Sequence, residues 1–353
     1  MKRPALLATV GVVGLGLLAA CSTGGTTSAE ESGPERSREV ILVTHDSFTL
    51  PEELLEEFAE QTGQELIVRA SGDAGALSAK LALTKENPTG DVAFGIDNTF
   101  ASRVLDEGVF APVEVELPPG AEEYALADGA DRLVPVDVGH VCLNIDDTWF
   151  DKNEVKPPRT LQDLTKPAYE DLTVVPAAST SSPGMAFLLS TVAAFGDEWP
   201  DYWQELLDNG LKVVDGWSDA YYTDFTQGGE NGDRPIVLSY DSSPAFTVAE
   251  GQKRSTTSAL LETCFRQVEY AGVLDGAPNP EGARALVEFL TGPEVQAALP
   301  ESMFVFPVDP MVELPDAWAE YAVQPEQPFE VDSEEIAANR EQWLQQWTEI
   351  TTR

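Results

Sequence analysis

Three times before residue 100 the chain repeats one pattern: a β-branched apolar run, a small polar cluster, then a helical stretch. Val40 to Thr44 ends in His45-Asp46-Ser47-Phe48, and the helix that follows is started by Pro51, carries acids in its first turn and is stopped by Gly63. Glu65 to Arg69 ends in Ser71-Gly72-Asp73, ahead of a stretch with Leu77 and Leu81 at helical spacing. Asp91 to Ile96 ends in Gly95-Ile96-Asp97-Asn98, ahead of TFASRVLDEG. Strand, helix, strand, helix, strand predicts a parallel sheet with crossover helices. One polar cluster is ordinary capping. A series of them on one sheet edge is a binding rim, because open α/β sheets bind ligands beyond the carboxyl ends of their strands. Asp73 is either the N-cap of the helix that follows or a ligand carboxylate on that rim, and one residue can be both.

A second concentration of signals runs from Gly216 to Phe246. Ile236 to Tyr240 is a short apolar run bounded by the turn-rich GGENGDRP, so it reads as a buried strand. After Tyr240-Asp241, Ser242-Ser243-Pro244 predicts a helix start, a serine N-cap with Pro at the first helical position. Ser181-Ser182-Pro183 repeats that signal before GMAFLLSTVAAF, which suggests two helix ends aimed at one cleft. Trp217, Tyr221, Tyr222 and Tyr240 bring flat aromatic surface to the same region, and Asp219 and Asp241 bring negative charge.

Leu133 to Ile145 is extended, longer than one ordinary strand, and reads as crossing from one lobe to another. Cys264 to Val273 is the candidate for a second crossing, and Met303 to Val308 is expected to be extended. Asn279-Pro280, Pro293 and Asp332 mark later helix starts, the last carrying Ile336, Trp343 and Trp347. The expected organisation is lobe 1 from residues 39–137 plus 270–353 and lobe 2 from residues 138–269, a hinged α/β pair with a cleft between.

Composition narrows the function. Met1 to Ala20 has Lys2 and Arg3, an apolar stretch and then Leu18-Ala19-Ala20-Cys21, a secretory leader whose end resembles the bacterial lipobox. Residues 1–20 are therefore expected to be a signal peptide, Cys21 an acylated N-terminus, and the polar, Gly/Ser/Thr-rich residues 21–38 a flexible tether. Such a protein would sit on the outer face of the cytoplasmic membrane, held by lipid alone. Formal charge is −40, and loss of the leader gives −42, with 19 basic residues against 61 acidic. That surface excludes nucleic acid as a partner and favours a cationic ligand. His45 and His140 are the only histidines, with no HExxH or Cys/His cluster, so no metal site is expected. Without a GxSxG elbow or a P-loop there is no hydrolase or nucleotide motif, so neither catalytic residues nor a cofactor are expected. Beyond Cys21 the chain has Cys142 and Cys264, one on each crossing segment, and an exported protein is expected to join them in a disulfide.

Thr44 to Phe48, Gly95 to Asn98, Ser181 to Gly184, Gly216 to Tyr221, Leu238 to Tyr240 and Ser243 to Ala245 together resemble the thiamine-binding proteins of bacterial ABC importers, in the iron- and thiamine-type branch of periplasmic binding proteins. The resemblance runs from about Val40 to Trp347. It implies a type II periplasmic-binding-protein fold, a monomer, and delivery of thiamine or a thiamine phosphate to an ABC permease. It places ligand contacts at Asp73, Ala74, Ser181, Ser182, Trp217, Tyr240, Asp241, Ser242, Ser243 and Pro244, with His45, Asp97, Tyr221 and Phe246 as further cleft residues. The sequence departs from the family at His45, where a tyrosine is usual, at Ala74, where a glycine is, and at Phe246 and Phe304. Thiamine's aminopyrimidine suits a stack on Trp217 or Tyr240. Its thiazolium suits aromatic faces and a carboxylate such as Asp73 or Asp241. A phosphate would take backbone N–H groups at the Ser182 and Ser243 helix starts. The rival expectation is ferric iron held by Tyr221 and Tyr222 phenolates with His45 and Asp46.

Overall fold

The computed structural model describes residues 38–229, 231–248 and 254–352, so the leader and Cys21 lie outside the described residues. β1 (Glu39–Thr44) lies between β2 (Glu65–Ala70) and β3 (Val92–Asp97) and runs parallel to both. α1 (Glu52–Thr62) and α2 (Ala74–Thr84) make the two crossovers. α1 stops at Gly63, whose φ of 68° turns its N–H back onto the Ala59 carbonyl, the left-handed cap that glycine adopts without strain. α3 (Ala101–Asp106) follows β3.

β4 (Val134–Asp146) then runs for 13 residues, every one buried. After it come α4 (Asp147–Asn153), β5 (Thr173–Pro176), α5 (Ser182–Phe195), α6 (Trp199–Asp208), β6 (Lys212–Val214), β7 (Ile236–Tyr240) and β8 (Thr257–Ala259). β9 (Phe265–Val273), α7 (Pro280–Leu290), α8 (Pro293–Ser302), β10 (Phe306–Pro307), α9 (Asp316–Tyr321) and α10 (Ser333–Thr351) complete the described chain.

The strands form one sheet in the order β2-β1-β3-β9-β4-β7-β5-β6, with β8 and β10 also paired to β4. Two parallel arrays, β2-β1-β3 and β7-β5-β6, thus flank an antiparallel centre. β4 makes that centre possible by its length. Val134 to Val141 pair with β9, and Val141 to Ile145 pair with β7. Cys142 and Cys264 are bonded where β4 changes partner, with their Cα atoms 4.1 Å apart.

Separate hydrophobic clusters serve the two ends of the sheet. One packs Phe58 against Phe289, ring centroids 5.4 Å apart, with Val40, Leu42 and Phe94. Another surrounds Trp203, which Phe187 and Trp347 meet edge-on. Ile336, Trp343 and Trp347 of α10 belong to this second cluster. The C-terminal helix therefore packs on α6, within the span expected as lobe 2, and also reaches α3, where Arg340 lies over the Phe100 ring, although its sequence lies in 270–353.

Two expected elements take other forms. The helix start at Ser242-Ser243-Pro244 is a single 3-10 turn, Ser243–Phe246, because Val248 immediately enters a bridge with Ser255. The extended stretch Met303 to Val308 pairs only at Phe306–Pro307. Phe304 adopts φ 63°, a left-handed conformation that interrupts a strand.

Candidate ligand-binding cleft

A cavity opens where the two parallel arrays face each other. His45 and Ser47 after β1, Asp73 ahead of α2 and Glu269 of β9 line one side. Ser182 and Pro183 at the start of α5, Trp217, Tyr240 and Ser243 line the other, and Met303, Phe304 and Val305 close one end. The two Ser-Ser-Pro segments thus each send a serine to one cavity.

Asp73 joins the two sides. Its Oδ1 accepts the N–H of Ala74 at 2.6 Å, capping α2, while Oδ2 accepts the N–H of Trp217 at 3.0 Å from across the cleft. Burial pushes the Asp73 carboxyl above its ordinary range, against the pull of the Trp217 and Ala74 N–H groups. One turn on, the N–H groups of Gly75 and Ala76 both donate to the Thr180 carbonyl. A Cβ at residue 75 would stand 2.7 Å from the Ser179 carbonyl oxygen, so this approach requires glycine. Ser47 and Ser218 hydroxyls, 3.4 Å apart, add a third bridge. The walls are in direct contact, as in a closed clam.

Trp217 is fixed at each end. Its indole N–H donates to Ser239 Oγ at 3.0 Å, and Ser239 is 2.8 Å from Ser243 Oγ, which accepts the Tyr240 N–H. Tyr221 stacks on the indole with centroids 5.1 Å apart and planes 17° from parallel. Tyr221 stands on a π-helical turn, Asp219–Asp224, a distortion that often marks functional segments. Beyond Trp217 a second cavity is lined by Tyr221, Tyr222, Phe246 and Phe304, and Phe246 packs against Phe304 at 3.8 Å between centroids. Tyr240 is partly buried on the cavity wall, its hydroxyl accepting from Gln267 Nε2 at 3.2 Å, and desolvation pushes its phenol well up.

Other sequence candidates, Ser182 apart, lie back from the cavity. Asp241 is fully buried and its carboxylate is spent on His140, Oδ1 accepting the backbone N–H and Oδ2 lying 2.8 Å from Nδ1. It is placed to orient His140, away from any ligand charge. Ser242 donates to the Phe304 carbonyl at 2.5 Å, Ala74 is buried in the first turn of α2, and Pro244 lines a different pocket with Thr257 and Glu320. The Ser181 and Ser182 hydroxyls are buried without a well-formed hydrogen bond, although each lies near enough to a carboxyl, Asp73 and Asp97 respectively, to lower its proton affinity. Asp97 uses Oδ1 to accept from Thr99 N, Thr99 Oγ1 and Phe100 N, leaves Oδ2 buried and unpartnered, and is pushed by burial to about 6.

Sequence reasoning missed Glu269 and, behind it, Asp137. The signal was a lone acid inside each apolar crossing strand, CFRQVEYAGV and LVPVDVGHVCLNI. A carboxyl in such a run is buried by its neighbours, and buried carboxyls cluster at functional sites.

The family described as bacterial extracellular solute-binding protein is matched over residues 87–339. The chain belongs to that family. This solute-binding protein is not an enzyme. It is 30% identical over 331 residues to the thiamine-binding periplasmic protein of Escherichia coli (strain K12), covering 91% of this chain and 96% of that one. It is also 30% identical over 325 residues to the thiamine-binding periplasmic protein of Brucella melitensis biotype 1, covering 89% and 92%. Among solved structures, a periplasmic thiamin binding protein superposes with a TM-score of 0.77 at 28% identity, over 91% of this chain and 98% of that one. A ferric binding protein from Campylobacter jejuni gives a TM-score of 0.68 at 17% identity, over 88% of this chain and 99% of that one, and shares the fold alone. The fold is that of the periplasmic binding proteins, two α/β halves joined through β4 and β9 with the cleft between them.

Proposed function

We propose that the protein captures thiamine, or one of its phosphate esters, in this cleft and delivers it to an ABC importer. The observation that carries the reading is Trp217. Its backbone N–H is held by Asp73 and its indole N–H by Ser239 of the Ser239–Ser243 pair, so the ring lines the cavity beside Tyr240 as the flat, hydrogen-bond-fixed surface an aminopyrimidine needs. The names of relatives alike over nine-tenths of the chain support the same ligand. Asp73, Ser182, Ser243 and His45 are polar side chains on the cavity wall, and Tyr221 backs the indole. Because Asp73 and Trp217 sit on opposite walls, a ligand touching both favours closure.

The iron reading needs Tyr221 and Tyr222 as phenolates. Tyr221 instead stacks on Trp217, Tyr222 stands edge-on to both, and burial pushes each phenol up, away from the ionised form. Acylation at Cys21 would hold the receptor at the outer face of the membrane near its permease, and Cys21→Ala should release it from the membrane fraction. Persistence in the membrane fraction would refute the anchor. Native mass spectrometry of the protein as purified tests the ligand. A mass increment of thiamine or its phosphate is expected, and retained iron would overturn the reading.

A further inference from the structure

Beneath the cleft, three carboxyls occupy one row across three neighbouring strands. Glu269 of β9 is the registered partner of Asp97 on β3 and of Asp137 on β4. Registered side chains stand on the same sheet face, about 5 Å apart, where like charges repel. All three are buried, at 6%, 0% and 1% exposure for Glu269, Asp97 and Asp137. Of the three, Glu269 is the one that lines the cavity. Among the described residues no lysine or arginine pairs with any of them. The single ion-pair partner is His45, whose Nε2 lies 3.7 Å from a Glu269 oxygen. That is beyond hydrogen-bond reach, and Nε2 is buried with no other partner on the cavity wall. The unpaired Oδ2 atoms of Asp97 and Asp137 are buried as well.

Such a row is tolerated only if it carries protons. Burial and then Glu269 push Asp137 well above the carboxylate range. Burial takes Asp97 to about 6, with Glu269 adding to the push. Burial pulls His45 down, yet Glu269, Asp73 and Asp46 together carry it above its ordinary value. Tyr240 faces the row from β7, and the buried Arg340 guanidinium acts on Asp97 from behind. The cavity floor is thus negative, partly protonated, and short of one positive partner. Asp73 and Asp241, the carboxylates the sequence offered for a cation, have both oxygens engaged by the protein.

We infer that Glu269 is the counter-charge for the cationic ring of the ligand, and that seating the cation against it drives a proton out of the cluster formed with Asp97, Asp137 and His45. The identity of that cation as the thiazolium of thiamine rests on the function proposed above. A positive ring beside these groups lowers the proton affinity of every one of them. Binding therefore releases protons and strengthens as pH rises through about 6, by at most about tenfold per pH unit for each proton released.

Titration calorimetry of the wild-type protein with thiamine, at about pH 5.5 and about pH 7.5 in two buffers of different ionisation enthalpy, reads this directly. The expected result is about tenfold tighter binding at the higher pH, with a buffer-dependent heat that reports proton release. Glu269→Gln should weaken thiamine about tenfold or more at the higher pH and flatten the pH profile. It should leave the weak binding of the neutral half of thiamine, the free aminopyrimidine alcohol, as in the wild type. Wild-type affinity that is flat with pH and free of buffer dependence overturns the inference whether or not the variant folds. Equal losses for the cation and the neutral fragment in Glu269→Gln also overturn it. Absence of thiamine binding by the wild type overturns the thiamine reading, and this inference with it.

Discussion

Asp73→Asn separates two roles that the residue has been given. The carboxylate accepts one N–H at each oxygen, from Ala74 at 2.6 Å and from Trp217 at 3.0 Å. An asparagine offers one oxygen and one NH2 group. Whichever way it turns, one buried N–H loses its acceptor and faces a donor. Leaving a buried donor unsatisfied costs about 1–3 kcal/mol. If the oxygen stays on Ala74, where it caps α2, the bond lost is the one to Trp217 that spans the cleft. Closure is then less favourable by that amount, and apparent affinity falls by about 5- to 150-fold. Because the loss falls on closure rather than on ligand charge, thiamine and its neutral aminopyrimidine half should weaken by the same factor. Calorimetry with both compounds measures the two factors side by side. A loss confined to thiamine would show that Asp73 is itself the counter-charge. No loss for either would show that the Asp73–Trp217 bond has no part in the bound state.

Trp217→Ala removes the stacking face and the indole bond to Ser239, and should weaken thiamine by about 2–4 kcal/mol in the same assay. Thiamine binding that survives that change unaltered would move the site elsewhere. Asp97 is held at about 6, so its proton stabilises the fold fully below about pH 4, and that contribution is lost as pH rises through about 6. Asp97→Asn keeps the Oδ1 acceptor for Thr99 and Phe100, so denaturant unfolding should find it more stable than wild type at about pH 8, by a few kcal/mol at most, and no more stable at about pH 4. The Cys142–Cys264 bond closes a separation of 122 residues, and replacing both by serine should cost about 4–5 kcal/mol in the chain-entropy account. Thiol titration of the denatured, unreduced protein should find neither cysteine free.

Individual strands and helix caps were legible where local chemistry is strong. The apolar runs at 40–44 and 236–240 and the caps at Asp73, Asn279 and Asp332 all appear as the sequence implies, because each depends on neighbours within a turn. The length of Leu133 to Ile145 disclosed a strand serving two partners. What stayed hidden depends on distance in space. Nothing near Asp241 in the chain reveals that His140 occupies both of its oxygens from 101 residues away. The row Asp97–Glu269–Asp137 exists only through the register of β3, β9 and β4, and no local pattern encodes register between strands so far apart in sequence. The first Ser-Ser-Pro signal starts α5 as expected, but the second misstated the device. The hydroxyl of Ser243 positions Tyr240 and Ser239, and that of Ser242 holds Phe304, where capping of a helix was expected.

The central claim is that a cationic heteroaromatic, and no metal, fills the cleft between Asp73 and Trp217. Its most direct test is calorimetric titration of the wild-type protein with thiamine and, separately, with iron(III) citrate. One-to-one, sub-micromolar binding of thiamine with no heat from iron is the result this account predicts. Tight iron binding that Tyr221→Phe abolishes, with no response to thiamine or its phosphates, would contradict it.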